Sequence, residues 1–153
     1  MNADKRGLLH EELTDKILKC FYAVYNELGY GFLESVYEEA LFIALTEAGL
    51  KVGRQALLTV WFRGKAIKGF QADLIVEDKV ILEIKAVRVF EPAHDAQLLN
   101  YLRATEIEVG LLLNFGPKPE FNRLVFDNSR KLRINPGLRT GPEKHGPPAS
   151  PSS

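Results

Sequence analysis

The sequence predicts an α/β (α+β) domain with a mixed central sheet flanked by helices. Hydrophobic periodicity gives the element order α-α-β-β-β-α-β, followed by one short strand. Three consecutive strands can pair as hairpins, whereas the strand after the third helix requires a crossover. With 153 residues, of which 46% are hydrophobic, the chain is long enough for one domain with its own core.

Two helices open the predicted domain. The first is predicted to start at an N-cap formed by Thr14 and Asp15, and it ends at Gly29. The second is predicted over residues 32–48, with Gly49 as its terminator. The connection between them contains two glycines, which suit unusual backbone angles or a close approach.

The remaining elements alternate between apolar runs and turn residues. Strands are predicted over residues 55–62, 66–76, 80–87 and 107–115, and a short edge strand over 121–126. Pro92 is typical of the first turn of a helix and opens the third one. The link 77–79 is short enough for a hairpin between the second and third strands.

The composition changes after residue 127. Residues 128–153 contain five of the eight prolines and carry five basic side chains against one acidic side chain. We therefore predict a folded domain over 1–127 and a disordered, Pro/Gly/Ser-rich basic tail over 128–153. The folded part has 15 basic and 19 acidic residues, so no broad basic face indicates nucleic-acid binding. A metal ion could offset its acidic residues.

Cysteine content and hydropathy indicate a protein of the cytoplasm. The single cysteine, Cys20, excludes an internal disulfide, suits a reducing compartment and is expected to be a small core residue. No apolar run approaches the ~20 residues that cross a bilayer, so no membrane partner is expected. The charged N-terminus lacks the apolar region of a signal peptide.

The strongest functional signal is a pair of charged residues inside a buried strand. Glu83 and Lys85 interrupt the apolar run 80–87 and point to the same face. Asp73 interrupts the preceding apolar run, and antiparallel pairing of the two strands would bring it beside them. Two neighbouring carboxylates repel each other unless a cation lies between them.

Such a cluster suits Mg²⁺, which takes oxygen ligands and completes its shell with water and phosphate. The main-chain carbonyl of Ile84 could be a further ligand, and Lys85 could orient or deprotonate a water. Hydrolysis of a phosphodiester is the reaction that needs this set. An ion-pair cluster with a purely structural role at the end of the sheet remains an equal alternative on these residues alone.

Two further patterns place polar side chains on helices. Glu34 lies in the first turn of the second helix, where a favourable interaction with the helix dipole would also explain it. Gln97 and Tyr101 share one face of the third helix. Packing of the tyrosine and solvation of the glutamine would explain this second pair without any function.

Together these motifs resemble the GxxExxY proteins, a branch of the PD-(D/E)XK nuclease superfamily. The resemblance covers residues 14–126. Its motifs are Gly31-x-x-Glu34-x-x-Tyr37, Gly69-x-x-x-Asp73, Glu83-x-Lys85 and Gln97-x-x-x-Tyr101, and the last three also resemble the successive motifs of RecB-type nuclease domains.

The resemblance implies a restriction-endonuclease-like αβββαβ core and a nuclease acting on DNA, with RNA less favoured. It implies Asp73, Glu83 and a supporting Glu34 as ligands of Mg²⁺ or Mn²⁺, and Lys85 as the catalytic lysine. The remaining implied residues are a catalytic Gln97 and two substrate-positioning tyrosines, Tyr37 and Tyr101.

The chain departs from the family pattern in two places. Ala72 replaces the proline of the signature, and Tyr25 stands where many relatives have a histidine; His94 is a weaker candidate for the role of that histidine. The replaced proline is harmless, because only the aspartate of the signature would bind metal, whereas a missing histidine ligand would lower metal affinity or activity. The acidic composition and small size of the domain favour the alternative function, a catalytically weak or inactive nuclease-fold module that binds nucleic acid or protein. Pairing of two copies through the first or last strand is a further expectation.

Overall fold

A five-stranded mixed sheet forms the centre of the structure, a computed structural model that describes residues 9–134. Its strands lie in the order β1-β2-β3-β4-β5, and only the β3–β4 pair is parallel. The strands are β1 (Val52–Phe62), β2 (Lys65–Val76), β3 (Val80–Lys85), β4 (Val109–Phe115) and β5 (Pro119–Val125).

Helices cover both faces of this sheet. They are α1 (Glu11–Leu28), α2 (Glu34–Glu47), α3 (Pro92–Ala104) and α4 (Asn128–Ile134). The first two pack on one face in a large apolar cluster, while α3, the crossover between β3 and β4, packs on the other. This arrangement confirms the predicted fold class and the predicted strand and helix order.

Turn chemistry sets the two hairpins. Arg63 and Gly64 both adopt left-handed backbone angles, with φ of 53° and 78°, which matches the two-residue turn that suits twisted antiparallel strands. Glu77 and Asp78, also left-handed, join β2 to β3 within the predicted link. None of the described helices is long and apolar enough to cross a membrane.

The predicted element boundaries are displaced by a few residues at several ends. Helix α1 begins at Glu11, so Thr14 is not its N-cap but a buried residue of its first turns. The Thr14 hydroxyl donates to the carbonyl of Glu11 at 3.0 Å, a local bond that Thr can make inside a helix as well as at its start. Cys20 is half-buried and packs against the core beneath α2.

Helix α4 lies where the sequence predicts the start of a disordered tail. Its Lys131 is only 1% exposed, and the Lys131 ammonium donates to the carbonyls of Thr105 and Ile107, both at 2.7 Å. The folded domain therefore extends past the predicted boundary at residue 127, at least through Ile134. The rest of the predicted tail, 135–153, lies outside the described residues.

Replacing Lys131 with methionine is expected to lower the free energy of unfolding by about 1–3 kcal/mol, because two buried carbonyls would lose their donor. Urea unfolding would measure the change. Lys118→Met, at an exposed position, is the matched control and should leave stability within about 0.5 kcal/mol of wild type. Equal stability of the two variants would contradict the structural role of the ammonium.

Candidate active site

The candidate site lies where strands β2 and β3 separate. Their ladder pairs Val76 with Val80, then continues to Leu74 opposite Leu82, and ends there. The next two opposed residues are Asp73 and Glu83, which we call the fork. Here side chains replace the ladder hydrogen bonds. The Ile84 N–H donates to Asp73 Oδ2 at 2.8 Å, and the Asp73 N–H donates to Glu83 Oε2 at 3.2 Å.

The two carboxylates of the fork interact unfavourably. Glu83 is 7% exposed, and its burial, followed by the charge of Asp73, raises the pKa of Glu83 to about 7. The Asp73 N–H and the charge of Lys85 act in the opposite direction, but more weakly. A buried carboxyl beside a second carboxylate is stabilised when a cation binds between them.

Lys85 lies next to the fork at the end of β3. It is half-buried and two residues beyond Glu83, so both side chains leave the same face of the strand. In the parallel ladder Lys85 is opposite Asn114 of β4. Its ammonium is therefore held within electrostatic range of the carboxylate pair by two paired strands.

Helix α3 brings one of the two predicted residues to this face. Burial, and then the charges of Glu83 and Asp73, raise the pKa of Tyr101, so both fork carboxylates act on its hydroxyl electrostatically. The Tyr101 ring stacks on Phe70 of β2 with 3.6 Å between ring centroids. Gln97, one turn earlier on the helix, is exposed and makes no hydrogen bond with another described residue.

A second acid of α2, Glu38, acts on the pair electrostatically. Its carboxylate accepts from Gln55 Nε2 at 3.0 and 3.1 Å and lies 3.6 Å from Arg54 Nε. The charge of Glu38 contributes to the raised pKa of Glu83. Glu34 is exposed in the first turn of the same helix.

Gln55, the hydrogen-bond partner of Glu38, lies on the strand next to the fork. The β1–β2 register pairs Arg54 with Leu74 and Ala56 with Ala72, so Gln55 stands opposite Asp73. Gln55 has a left-handed φ of 48° inside a strand, an unfavourable conformation for a side-chain-bearing residue. The sequence offered one signal for Glu38, its position four residues after Glu34 on the same helical face.

Tyr37, which the sequence predicts as a substrate-positioning residue, lies in α2 and contacts the loop before this helix. It is fully buried, and its hydroxyl donates to the carbonyl of Gly29 at 2.6 Å and accepts from the Phe32 N–H at 3.2 Å. The Tyr37 ring stacks on Phe115 with 4.3 Å between centroids. Tyr37 therefore positions the loop before α2, in which Gly29 and Gly31 take left-handed angles.

Tyr37→Phe keeps this ring stack but removes both hydrogen bonds of the hydroxyl. We expect the free energy of unfolding to fall by about 1–3 kcal/mol, since the Gly29 carbonyl and the Phe32 N–H lose a partner. Thermal and urea unfolding would measure the loss. Tyr22→Phe, at an exposed position of α1, is the matched control. An unchanged Tyr37→Phe variant would contradict the role assigned to the hydroxyl.

The residues considered for the missing family histidine have structural roles. The Tyr25 hydroxyl donates to the carbonyl of Gly116 at 2.8 Å, which ties α1 to the end of β4. His94 Nδ1 accepts from the Glu91 N–H at 3.1 Å as part of a capping box at the start of α3. The Tyr25 side chain therefore fixes α1 to the end of β4, and the His94 side chain caps α3.

Comparison with known proteins decides the family. A family model of the PD-(D/E)XK nuclease superfamily matches residues 11–124. The chain belongs to this superfamily. No curated protein gives a significant match.

Two solved structures are similar to this PD-(D/E)XK protein. The crystal structure of SSO0001 has 19% sequence identity and a TM-score of 0.49, over 85% of this chain and 67% of that one. An alkaline exonuclease (LHK-Exo) from Laribacter hongkongensis has 15% identity and a TM-score of 0.41, over 65% and 58% of the two chains.

PD-(D/E)XK nucleases hydrolyse nucleic-acid phosphodiester bonds and generally use divalent metals. Within residues 9–134, no three His, Cys, Asp or Glu side chains lie close enough together to hold a metal ion. The fork nevertheless fits Mg²⁺, which commonly binds one or two carboxylates and keeps water and phosphate as its other ligands. Each fork carboxylate uses one oxygen on a backbone N–H and has a second oxygen for a cation.

Proposed function

We propose that the protein is a metal-dependent nuclease that hydrolyses DNA phosphodiester bonds at the fork. The observation that carries the proposal is the meeting of Asp73 and Glu83 where β2 and β3 separate, with Lys85 beside them. In a member of a nuclease superfamily, this is the arrangement that phosphodiester hydrolysis requires. We also propose that the chain belongs to the GxxExxY branch and acts in the cytoplasm.

The two fork carboxylates and the residues around them have distinct roles in the proposed reaction. The second oxygens of Asp73 and Glu83, with the carbonyl of Ile84, would hold Mg²⁺ or Mn²⁺. When bound, the ion supplies charge neutralisation at the phosphate and lowers the pKa of a water. The Lys85 ammonium would hold the attacking water and stabilise the charge that develops on the phosphate. Tyr101 would contact the substrate strand from α3.

Metal binding and cleavage together test the proposal. Wild-type protein should bind Mn²⁺ by calorimetry and cleave plasmid and single-stranded DNA with Mg²⁺ or Mn²⁺. Asp73→Asn should lose both properties. Asp78→Asn removes an equal charge from the exposed β2–β3 link and serves as the control. Full cleavage by Asp73→Asn, or none by wild type with either ion, would overturn the proposed nuclease.

The two helix acids are expected to differ in this assay. Glu38→Gln should reduce cleavage about tenfold or more, because the Glu38 carboxylate adds negative charge near Glu83, where the cation would bind. Glu34→Gln should change cleavage less than about threefold, since the electrostatic contact to Glu83 comes from Glu38. Steady-state rates at saturating Mg²⁺ measure both. The reverse ranking would restore Glu34 as the supporting acid.

One observation favours the alternative, a nuclease-fold module without turnover. Among the described residues, the exposed Glu34 and Gln97, both catalytic in the implied set, make no hydrogen bond or ion pair with the fork. If the protein is such a module, wild type and Asp73→Asn should bind nucleic acid equally well, and Mn²⁺ should have little effect on either. If the protein is a nuclease, Mn²⁺ should strengthen nucleic-acid binding by wild type but not by Asp73→Asn.

A further inference from the structure

A pocket of about 330 Å³ lies between the β1–β2 hairpin and helices α3 and α4. Aromatic and apolar side chains make most of its wall, including Trp61, Phe62 and Phe126. Its polar side chains are an amide, Asn100, and two cations, of which Arg103 is exposed. The volume is at the lower end of the ~300–1,000 Å³ of small-molecule pockets, enough for one planar group the size of a nucleobase.

The hairpin that forms one wall is strongly basic. Residues 48–72 carry five basic side chains and no acidic one, although the folded part of the chain as a whole is mildly acidic. Lys51 and Arg54 of this stretch pair with Asp78 and Glu38. The three at the tip, Arg63, Lys65 and Lys68, are exposed. Their charge suits an anionic polymer passing over the hairpin.

Aromatic side chains lie among these charges. Phe62 is 50% exposed, and Ile67, which pairs with Val60 across the hairpin, is 49% exposed. The Arg103 guanidinium lies 5.4 Å from the centre of the Phe126 ring, at the wall of the pocket. Aromatic faces next to cations are the combination that binds unstacked bases together with their phosphates.

The elements that line the pocket also carry residues of the candidate active site. Phe70 of β2 stacks on Tyr101, which is next in sequence to Asn100 of the pocket and feels the charges of Glu83 and Asp73. On β2, Ile67 of the pocket is six residues from Asp73, roughly 20 Å along an extended strand. A nucleic-acid strand could therefore occupy both places several nucleotides apart.

We propose that this pocket binds an unpaired base of a single-stranded stretch of DNA, and so directs single strands or frayed ends to the fork. The inference rests on the proposed nuclease function and adds its substrate class. Bases in an intact duplex are stacked on each other and cannot present a face to Phe62. Hairpin lysines and Arg103 would contact the phosphates on either side.

Trp61 is the only tryptophan of the chain, so its fluorescence reports on the pocket directly. Full-length protein in EDTA would be titrated with a short oligothymidylate, with a blunt duplex and with an abasic strand of equal phosphate count. We expect the oligothymidylate to quench Trp61 saturably and to bind about tenfold more tightly than the other two ligands. Fluorescence anisotropy of labelled strands gives the affinities.

Variants separate the contribution of the base from that of the phosphates. Phe62→Leu keeps an apolar side chain but loses the aromatic face, so the tenfold preference should disappear while the melting temperature is kept. Arg103→Gln should weaken the binding of all three ligands by similar factors. The matched controls, Phe121→Leu on β5 and Lys19→Gln on α1, replace exposed residues outside the pocket and should bind as wild type does.

Two results would overturn the inference. One is unchanged Trp61 emission when anisotropy shows that the oligothymidylate is bound. The other is equal affinity for the three ligands. Failure of the nuclease proposal is distinguishable, because quenching is measured in EDTA and does not require cleavage. A protein that quenches but never cleaves with Mg²⁺ or Mn²⁺ would contradict the nuclease alone, and one that cleaves without quenching would contradict the pocket alone.

Discussion

Lys85→Met is expected to reduce DNA cleavage about 10²–10³-fold while leaving metal affinity nearly unchanged. The Lys85 ammonium is not a ligand, but it is the cation that β3 holds beside the carboxylate pair. Removing one group aimed at developing charge typically costs a factor of this size. Single-turnover cleavage at saturating Mg²⁺ gives the rate, and Mn²⁺ calorimetry gives the affinity.

Lys118→Met, an exposed lysine just beyond β4, serves again as the control and should cleave at the wild-type rate. Lys85→Arg keeps the charge on a larger and differently shaped group, so we expect only partial recovery. Cleavage by Lys85→Met at the wild-type rate would show that the fork is not where hydrolysis occurs.

Glu83→Gln should abolish metal-dependent cleavage and, in EDTA above pH 7, raise the free energy of unfolding by up to about 3 kcal/mol. Burial and the charge of Asp73 raise the pKa of Glu83 from 4.5 to about 7, and each unit corresponds to about 1.36 kcal/mol. The variant removes the buried charge that the folded protein tolerates at neutral pH. Gains in stability that accompany lost activity are typical of active sites.

The pH dependence of wild-type stability follows from the same shift. Between pH 4.5 and about 7 the folded protein keeps a proton on Glu83 that the unfolded chain has released. The free energy of unfolding therefore falls as the pH rises through this window and levels off above it. Urea unfolding of both proteins in EDTA at pH 5 and pH 8 measures the effect. Parallel pH profiles of wild type and Glu83→Gln would refute it.

The local sequence was sufficient to predict the hairpin that forms the fork. Asp73 and Glu83 each interrupt an apolar run, and the link 77–79 fixes the register that brings them opposite each other. The crossover through α3 followed from Pro92 and the strongly apolar strand β4. These features depend on contacts between residues close in sequence or on hydrophobic periodicity, and both can be read from a single sequence.

Features that depend on tertiary packing could not be predicted in this way. A lysine such as Lys131 looks like a solvent-exposed residue until the carbonyls of Thr105 and Ile107 are seen to surround its ammonium. Glu38 was missed because only the tertiary structure brings its helix against Gln55 of β1 and its charge within range of Glu83. The positive charge of the hairpin is not apparent from the net charge of residues 1–127, because acidic residues elsewhere in this range outnumber the basic ones.

The hydrogen bonds at the fork make two backbone amides sensitive to its occupancy. The N–H groups of Asp73 and Ile84 are protected from solvent by the side chains that would bind a cation, not by a neighbouring strand. Their deuterium exchange rates should therefore change on adding Mn²⁺, while amides within the β3–β4 ladder keep theirs. Exchange at these two positions would report ion uptake without any nucleic acid present.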